Sequence, residues 1–416
     1  MVNAIKAPLA ELDQALESIL SEIQSPLASE WVDVLDADGR VLCADVRSEI
    51  NVPAFDNSSM DGWAVRSQDL HEPGDALRIS QRITAGDGLN RTLEPGEAAR
   101  IFTGAPIPIG ADAVIMQEVA KPLGEQRVSI ETLPRPGQWI RRAGEDIQKN
   151  QVVLAKGHRL SPADLGLLAS LGLSKVQVSR KPRVALFSTG NELVQPGSIA
   201  PSELPLGRIF NSNRYFLAAL LTRAGATVTD LGLIPDRLDE TCQAFGDARL
   251  SHDVILSSGG VSVGEEDHVK PAVEALGRLK LWALSMKPGK PFAYGQMPTS
   301  VAEAPTCHFM GLPGNPVSSF VTFLLLVRPF LLRLQGATQL ESSFLSMRAD
   351  FDWPKPDRRR EFIRVRMNDQ GGLEVFPNQS SGVLTSVSWA QGLVDVPSGQ
   401  VIAKGDMVRF LPWSFI

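Results

Sequence analysis

Apolar positions in this 416-residue chain change period several times, and each change marks a boundary. Leu9, Leu12, Leu16, Ile19, Leu20 and Ile23 recur at spacings of three and four, which predicts an amphipathic helix over 9–24 that Ser25-Pro26 ends. From about 31 to 160 no helical period holds. Short β-rich runs alternate with turns such as "EPGD", "AGDG", "TGAPIPIGAD" and "RPGQ", so this stretch reads as mostly β. "SPADLGLLASLG" (161–172) reads as a short helix, with Ser161 at its cap and Pro162 in its first position.

Beyond 180 the pattern alternates strand and helix. "VALFSTG", "ATVTDLGLI", "DVILSSGG" and "LKLWALSM" are predicted strands; "NSNRYFLAALLTRAG", "RLDETCQAFGDARL" and "HVKPAVEALG" are predicted helices between them. "KPGKP" is a turn before "FAYGQM", and "CHFMGLPGNP" is a strand leading into a helix near Pro316. Such alternation is the mark of βαβ units around a largely parallel sheet. From 336 to 416 short strands return. In "REFIRVRM" Glu361, Ile363 and Val365 alternate with Phe362, Arg364 and Arg366, and the charge run "PDRRREFIRVR", taken by itself, reads as an exposed face.

Composition narrows the function classes. The formal net charge is −6, so no broad basic face is available for nucleic acid. The three cysteines, Cys43, Cys242 and Cys307, are far apart and form neither a zinc spacing nor a disulfide framework, which favours a reducing compartment such as the cytoplasm. The greasiest run, "FVTFLLLVRPFLLRL", is broken by Arg328 and Pro329 and reads as a core helix, not a membrane span.

Ligands of open α/β sheets bind beyond the carboxyl ends of the strands. The segments expected there are "STGNEL" with Glu192, "LIPD" with Asp236, "GGVSVGEED" with Gly259, Gly260, Ser262, Gly264 and Asp267, "KPGKP" with Lys287 and Lys290, and "GLPGNPVSS" with Ser318. Glycine turns and lysines suit phosphate or another oxyanion, whereas carboxylates repel one. A divalent cation bridging the acids to the anion reconciles the two, as Mg²⁺ does when held by one or two carboxylates and substrate phosphates. Each segment taken singly has a plainer reading: a strand end, a solvated turn lysine, or a loop of Asx turns in "FDNSSMDG".

In this order, "STGNEL", "GGVSVGEED", "KPGKP" and "GLPGNPVS", with "PAFDNSSMDGWAVR" (53–66), "RIFTGAPIPIGADAVIMQE" (100–118) and "IRRAGEDI" (140–147) upstream, resemble the molybdopterin molybdenumtransferase family (the MoeA and gephyrin E-domain group) over essentially the whole chain. One departure is Trp63, where the family motif usually has Tyr. The resemblance implies four domains: an elongated linking domain (1–50 and 143–179), a β-barrel-like insert (51–142), a three-layer α/β/α domain like that of the adenylyltransferases (180–335) and a small C-terminal β-barrel (336–416). It also implies a Mg²⁺-dependent enzyme that inserts molybdate into adenylylated molybdopterin and releases AMP. Catalytic roles fall on Asp61, Asp146, Glu192, Asp236, Asp267, Lys287 and Lys290, with Asp267 and Asp236 on the metal. Substrate-binding roles fall on Thr103, Arg141, Gly259, Gly260, Ser262, Gly264, Ser318, Arg364 and Ser381. The expected assembly is a homodimer whose sites are shared between subunits, in contact with other cofactor-biosynthesis proteins and with neither nucleic acid nor membrane. Molybdopterin adenylyl transfer and a gephyrin-type scaffold are the alternatives.

Overall fold

The computed structural model describes residues 9–88, 92–261, 268–299 and 306–415. At its centre is a six-stranded sheet of β1 (Arg183–Thr189), β2 (Thr227–Ile234), β3 (Val254–Ser258), β4 (Arg278–Ala283), β5 (Pro291–Met297) and β6 (Cys307–Leu312). The spatial order is β2-β1-β3-β6-β5-β4. The first four of these neighbours run parallel, and β5 runs antiparallel to both β6 and β4. The short "KPGKP" connection explains the reversal, since it allows a hairpin-like return but not a helical crossover. Helices α1 (Asn213–Arg223), α2 (Leu238–Ala248), α3 (Val269–Leu276) and α4 (Pro316–Leu334) complete the domain. The apolar residues split into two clusters. Leu186, Leu256 and Met310 pack with Leu217 and Phe330, while Phe187, Ile255 and Phe309 pack with Phe245 and Val273. Strands β1, β3 and β6 are therefore covered on both faces, which is why they read as continuous apolar runs, whereas β2 at the sheet edge is mostly exposed.

α4 is the one helix among the described residues long and apolar enough to cross a membrane, and most of it is buried within the protein. It continues through Arg328-Pro329, with a π turn over Phe323–Val327 just before them. Widening the helix there accommodates a proline that cannot donate an N–H.

The predicted N-terminal helix is shorter than its periodicity, Leu12–Ser21. Its first expected turn is extended instead, because Ala10 exchanges backbone hydrogen bonds with Ala283 and Ser285, at 3.1 and 2.8 Å. Leu12, Ala15 and Ile19 bury against the α/β core. Each large side chain so buried contributes about 1.5–3 kcal/mol. The helix thus anchors on the α/β domain, although its sequence position groups it with the linking segments.

Those segments form antiparallel ribbons, Ser29–Asp33 with Lys175–Ser179 and Val46–Arg47 with Val152–Leu154, around Leu42, Leu160, Leu168 and Val178. Asp164 accepts hydrogen bonds from the Ser161 N–H and hydroxyl at 2.7 Å each, closing the helix start that the sequence predicted. The inserted segment builds a six-stranded sheet from Gly62–Val65 through Arg127–Ile130. The C-terminal segment builds another, ordered Met286–Lys287, Arg360–Met367, Gly392–Val396, Met407–Pro412, Leu345–Arg348, with Leu373–Val375 as a sixth strand paired to Arg360–Met367. The first of these strands is borrowed from the "KPGKP" turn of the α/β domain, and a bridge between Ala349 and Leu373, with the Asp350 N–H donating to the Leu373 carbonyl at 2.8 Å, links the end of Leu345–Arg348 back to Leu373–Val375.

The arginine face of Arg360–Met367 is buried at Arg364 and opens to solvent at Arg366. Phe362 joins the α/β core, and Arg364 is 1% exposed. The strand alternates between two interiors, so the charge run misled the expectation of a solvated face.

Candidate functional site

The carboxyl ends of β1, β3 and β6 lie side by side, with Ser188 paired to Ser258 and Ser258 to Leu312. Because β5 is antiparallel, its start at Pro291 also falls at this edge, together with the end of β4 at Ala283. The turn bearing Lys287 and Lys290 is therefore brought beside the glycine turns.

Gly259 and Gly260 have φ of +96° and +64°. A Cβ on Gly259 would stand 2.4 Å from the Thr189 carbonyl oxygen, and one on Gly260 would stand 2.8 Å from the Thr189 hydroxyl. What the Gly-Gly pair approaches within the chain is therefore the end of β1 and, at Gly260, the Val269 side chain at the start of α3, 2.5 Å from such a Cβ. Asn213, at the start of α1, donates from Nδ2 to the Ser258 hydroxyl and to the Gly314 carbonyl, 2.7 Å each. It ties the ends of β3 and β6 together. Asn213 was not among the expected residues; the polar "NSN" start of its helix was the available signal, read only as a helix start.

Asp236 is half-buried and accepts the Asn191 N–H at 2.8 Å. The bond fixes its carboxylate beside the "GNEL" turn, where Glu192 is exposed. Ser318 is buried in the first turn of α4. The turn at Gly289 packs onto this helix: a Cβ there would meet the Thr322 hydroxyl at 2.6 Å.

The C-terminal domain reaches the same edge. The Ser381 carbonyl accepts the Val317 N–H at 3.1 Å, completing the start of α4. The Arg364 guanidinium donates to the Ser386 hydroxyl at 3.1 Å and to the Ser380 carbonyl at 3.2 Å. Burial pushes its pKa down to about 10. Arg364 holds the 380–386 turn from behind. Lys287 is also committed to protein partners. Its ammonium lies 2.7 Å from the buried carboxylate of Glu361 and 3.5 Å from Asp357. Lys290 is exposed and has no ion-pair partner among the described residues.

A second group of expected residues gathers in the insert. Asp61 accepts both the N–H and the hydroxyl of Thr103 at 2.8 Å each. These bonds, the backbone one foremost, lower its pKa. Arg141 pairs with Asn57 in a two-residue ribbon, and exposed Asp146 follows it. Neighbouring Asp56 binds the Ala143 N–H at 2.8 Å and the Arg142 guanidinium at 2.6 Å, and its pKa is lowered in turn. The hydrogen bonds of Asp61 and Thr103 stay inside the insert. The expected residues thus form two groups. Ser262, Gly264 and Asp267 lie outside the described residues.

Several buried polar atoms near the sheet edge have no partner among the described residues: the hydroxyls of Ser188, Thr189, Ser257 and Thr322 and the Asn211 Nδ2. Leaving such groups dry costs about 1–3 kcal/mol each. Together with Asp236 and Glu192 they make an oxygen-rich edge that suits a hydrated hard cation and its anion. No group of three or more His, Cys, Asp or Glu side chains arranged for a metal occurs among the described residues.

Three family models match in series: the MoeA N-terminal region (domain I and II) over residues 10–172, a "Probable molybdopterin binding domain" over 185–333, and the MoeA C-terminal region (domain IV) over 346–413. The chain belongs to the MoeA family. Molybdopterin molybdenumtransferase from Haemophilus influenzae is 41% identical over 367 residues, 88% of each chain. The Bacillus subtilis protein of the same name is 35% identical, over 93% of this chain and 90% of its own. Among solved structures, the molybdopterin biosynthesis moeA protein of Pyrococcus horikoshii OT3 superposes with a TM-score of 0.84 at 28% identity, covering 98% of this chain and all of that one.

Proposed function

We infer that this MoeA-family chain is a molybdopterin molybdenumtransferase, an enzyme that inserts molybdate into adenylylated molybdopterin with release of AMP. One observation carries the reading. At a single sheet edge, the turns bearing Asp236, Glu192 and Lys290 follow or precede strands that neighbour those leading to the Gly259-Gly260 turn and the start of α4, and buried hydroxyls there have no partner among the described residues. Such an edge offers donors to an oxyanion and carboxylates to a cation. The matched MoeA regions on both sides of the α/β domain favour insertion over adenylyl transfer, which needs only the α/β domain, and over a bare scaffold.

Mg²⁺ would suit the oxygen donors of this edge with Asp236 as one carboxylate, while Asp267, the other expected ligand, lies outside the described residues; bound there, the ion would neutralise phosphate oxygens. Lys290 would attract molybdate or phosphate, and Ser318 and Ser381 would shape the floor at the start of α4. Lys287 and Arg364 serve first to position the loops. All three cysteines are free, in keeping with a reducing cytoplasm.

The second group, Asp61, Thr103, Arg141 and Asp146, belongs to the same chemistry if the insert of one subunit meets the sheet edge of another. Free surface exists for a second copy: β2 is an edge strand whose Leu231 and Leu233 are exposed, and Ile209 and Tyr215 are exposed as well. The test uses AMP release from adenylylated molybdopterin with Mg²⁺ and molybdate. Asp61→Ala and Asp236→Ala homodimers should each be nearly inactive, and mixed dimers should regain activity through the one site that keeps both aspartates. Mass-verified mixed dimers with no recovery would overturn the shared site. ATP consumption with free molybdopterin would replace insertion by adenylyl transfer.

A further inference from the structure

Two arginines on the insert are placed at odds with ordinary sheet design. Strands Asp75–Ile83 and Glu97–Ile101 run parallel, and Arg82 faces Arg100 directly across them. Like charges opposed in this way destabilise a sheet. Four residues earlier the same two strands show the usual solution, Arg78 opposite Glu97 in an ion pair. Arg82 and Arg100 have no such carboxylate: among the described residues neither makes an ion pair. Both instead lie against the Phe102 ring, at 4.6 and 4.7 Å from its centroid. Arg100 also lies over Trp63 at 5.2 Å, and it donates to the Gly62 carbonyl at 3.1 Å and to Gln117 at 2.7 Å. Its orientation is thereby fixed, whereas Arg82 is exposed.

The position of this pair gives it meaning. Gly62 follows Asp61, and Phe102 precedes Thr103, so the two guanidinium groups flank the Asp61–Thr103 corner. Asp61 feels the Arg100 charge. Aromatic backing stiffens both guanidinium groups; exposed Arg82 keeps its donors toward solvent, an arrangement suited to phosphate, whereas Arg100 spends two of its donors on Gly62 and Gln117. The chain as a whole is negative, and the carboxylates that feel this pair, Asp61 for Arg100 and Asp87 for Arg82, make no ion pair with it among the described residues.

We propose that Arg82 and Arg100, backed by Phe102, form an anion-binding face of the insert that holds the phosphate groups of the adenylylated pterin. This rests on the transferase reading for the identity of the ligand. Arg82 would bind and Arg100 would bind and orient, beside the corner where Asp61 acts.

The probes are AMP and inorganic pyrophosphate, titrated calorimetrically into the full-length protein at low and physiological salt. Arg82→Met keeps an apolar stem over Phe102 and removes only the charge. It should weaken both ligands about three- to tenfold, the size of one charge-assisted contact at a partly exposed site. Arg82→Glu should weaken them further, Arg82→Lys should stay nearest the parent, and the salt dependence should fall in Arg82→Met. With adenylylated molybdopterin, Arg82→Met should raise KM and leave kcat nearly unchanged. If Arg82 only shields Phe102, Arg82→Met will match the parent in every titration, and that result overturns the proposal. So does a parent protein that binds neither probe. A parent that binds both probes but never releases AMP from adenylylated molybdopterin sinks the transferase reading and leaves the anion face standing.

Discussion

The lysine at 287 looks in the sequence like an oxyanion ligand, and the structure gives it a second employer. Its ammonium is 2.7 Å from Glu361, whose side chain is 5% exposed, and the Lys287 side chain is 43% exposed. Glu361 also accepts the Trp353 indole N–H at 3.0 Å. Lys287→Gln leaves that carboxylate buried with its hydrogen bond but without its nearest cation. Breaking a fully buried pair costs about 3–5 kcal/mol, and an exposed pair about 0–1 kcal/mol. Partial exposure of the lysine places this one at about 1–2 kcal/mol. In Lys287→Met with Glu361→Gln no unpaired charge remains, so the double variant should cost less than the two single changes together, by about 1 kcal/mol. Urea unfolding followed by tryptophan emission reads the first transition midpoint at constant slope, and AMP release reads activity. If the double variant regains stability and stays inactive, Lys287 has both roles; if both recover, its role is structural. A Lys287→Gln midpoint equal to the parent's, or strict additivity in the double variant, refutes the stabilising pair.

Two further predictions concern stability. Burial pushes the His308 imidazole, hydrogen-bonded to the Tyr294 hydroxyl at 2.9 Å, down to about 4, a shift the charges of Asp253 and Glu22 partly oppose. The unfolded chain binds this proton near pH 6.5, so the native state loses about 1.4 kcal/mol per pH unit as pH falls from there toward 4. His308→Gln should flatten that acid slope in urea midpoints measured at pH 7, 6 and 5, and an unchanged slope would contradict it. Gly259→Ala must hold a left-handed φ and seat a Cβ 2.4 Å from Thr189, whereas Gly207→Ala has a φ of +82° and nothing within 4 Å. Both carry the backbone penalty of about 1 kcal/mol. Only Gly259→Ala should lose much more in thermal melts; equal melting temperatures would deny the contact.

Much of the molecule was legible in the sequence. Apolar period and turn residues are local, so they revealed the alternating strands and helices of the α/β domain, the capped helix after Ser161 and the β character of the flanking segments. They also marked which loops follow which strands, and strand ends are where such a sheet binds ligands. Other features depended on contacts between residues far apart in sequence. The helix at Leu12–Ser21 lost its first turn because Ala10 pairs with Ala283 and Ser285, some 270 positions away. "REFIRVRM" alternates as a half-exposed strand should, yet Arg364 is buried, because the strand lies between two apolar layers and its guanidinium is satisfied by Ser380 and Ser386. "KPGKP" looks like a solvated turn, but backbone pairing to Arg360 and Glu361 draws it into the C-terminal sheet and commits Lys287 there. Local sequence sets which side chains are available at an edge. Which of them stay free for a ligand is set by the charges and carbonyls that tertiary packing brings beside them.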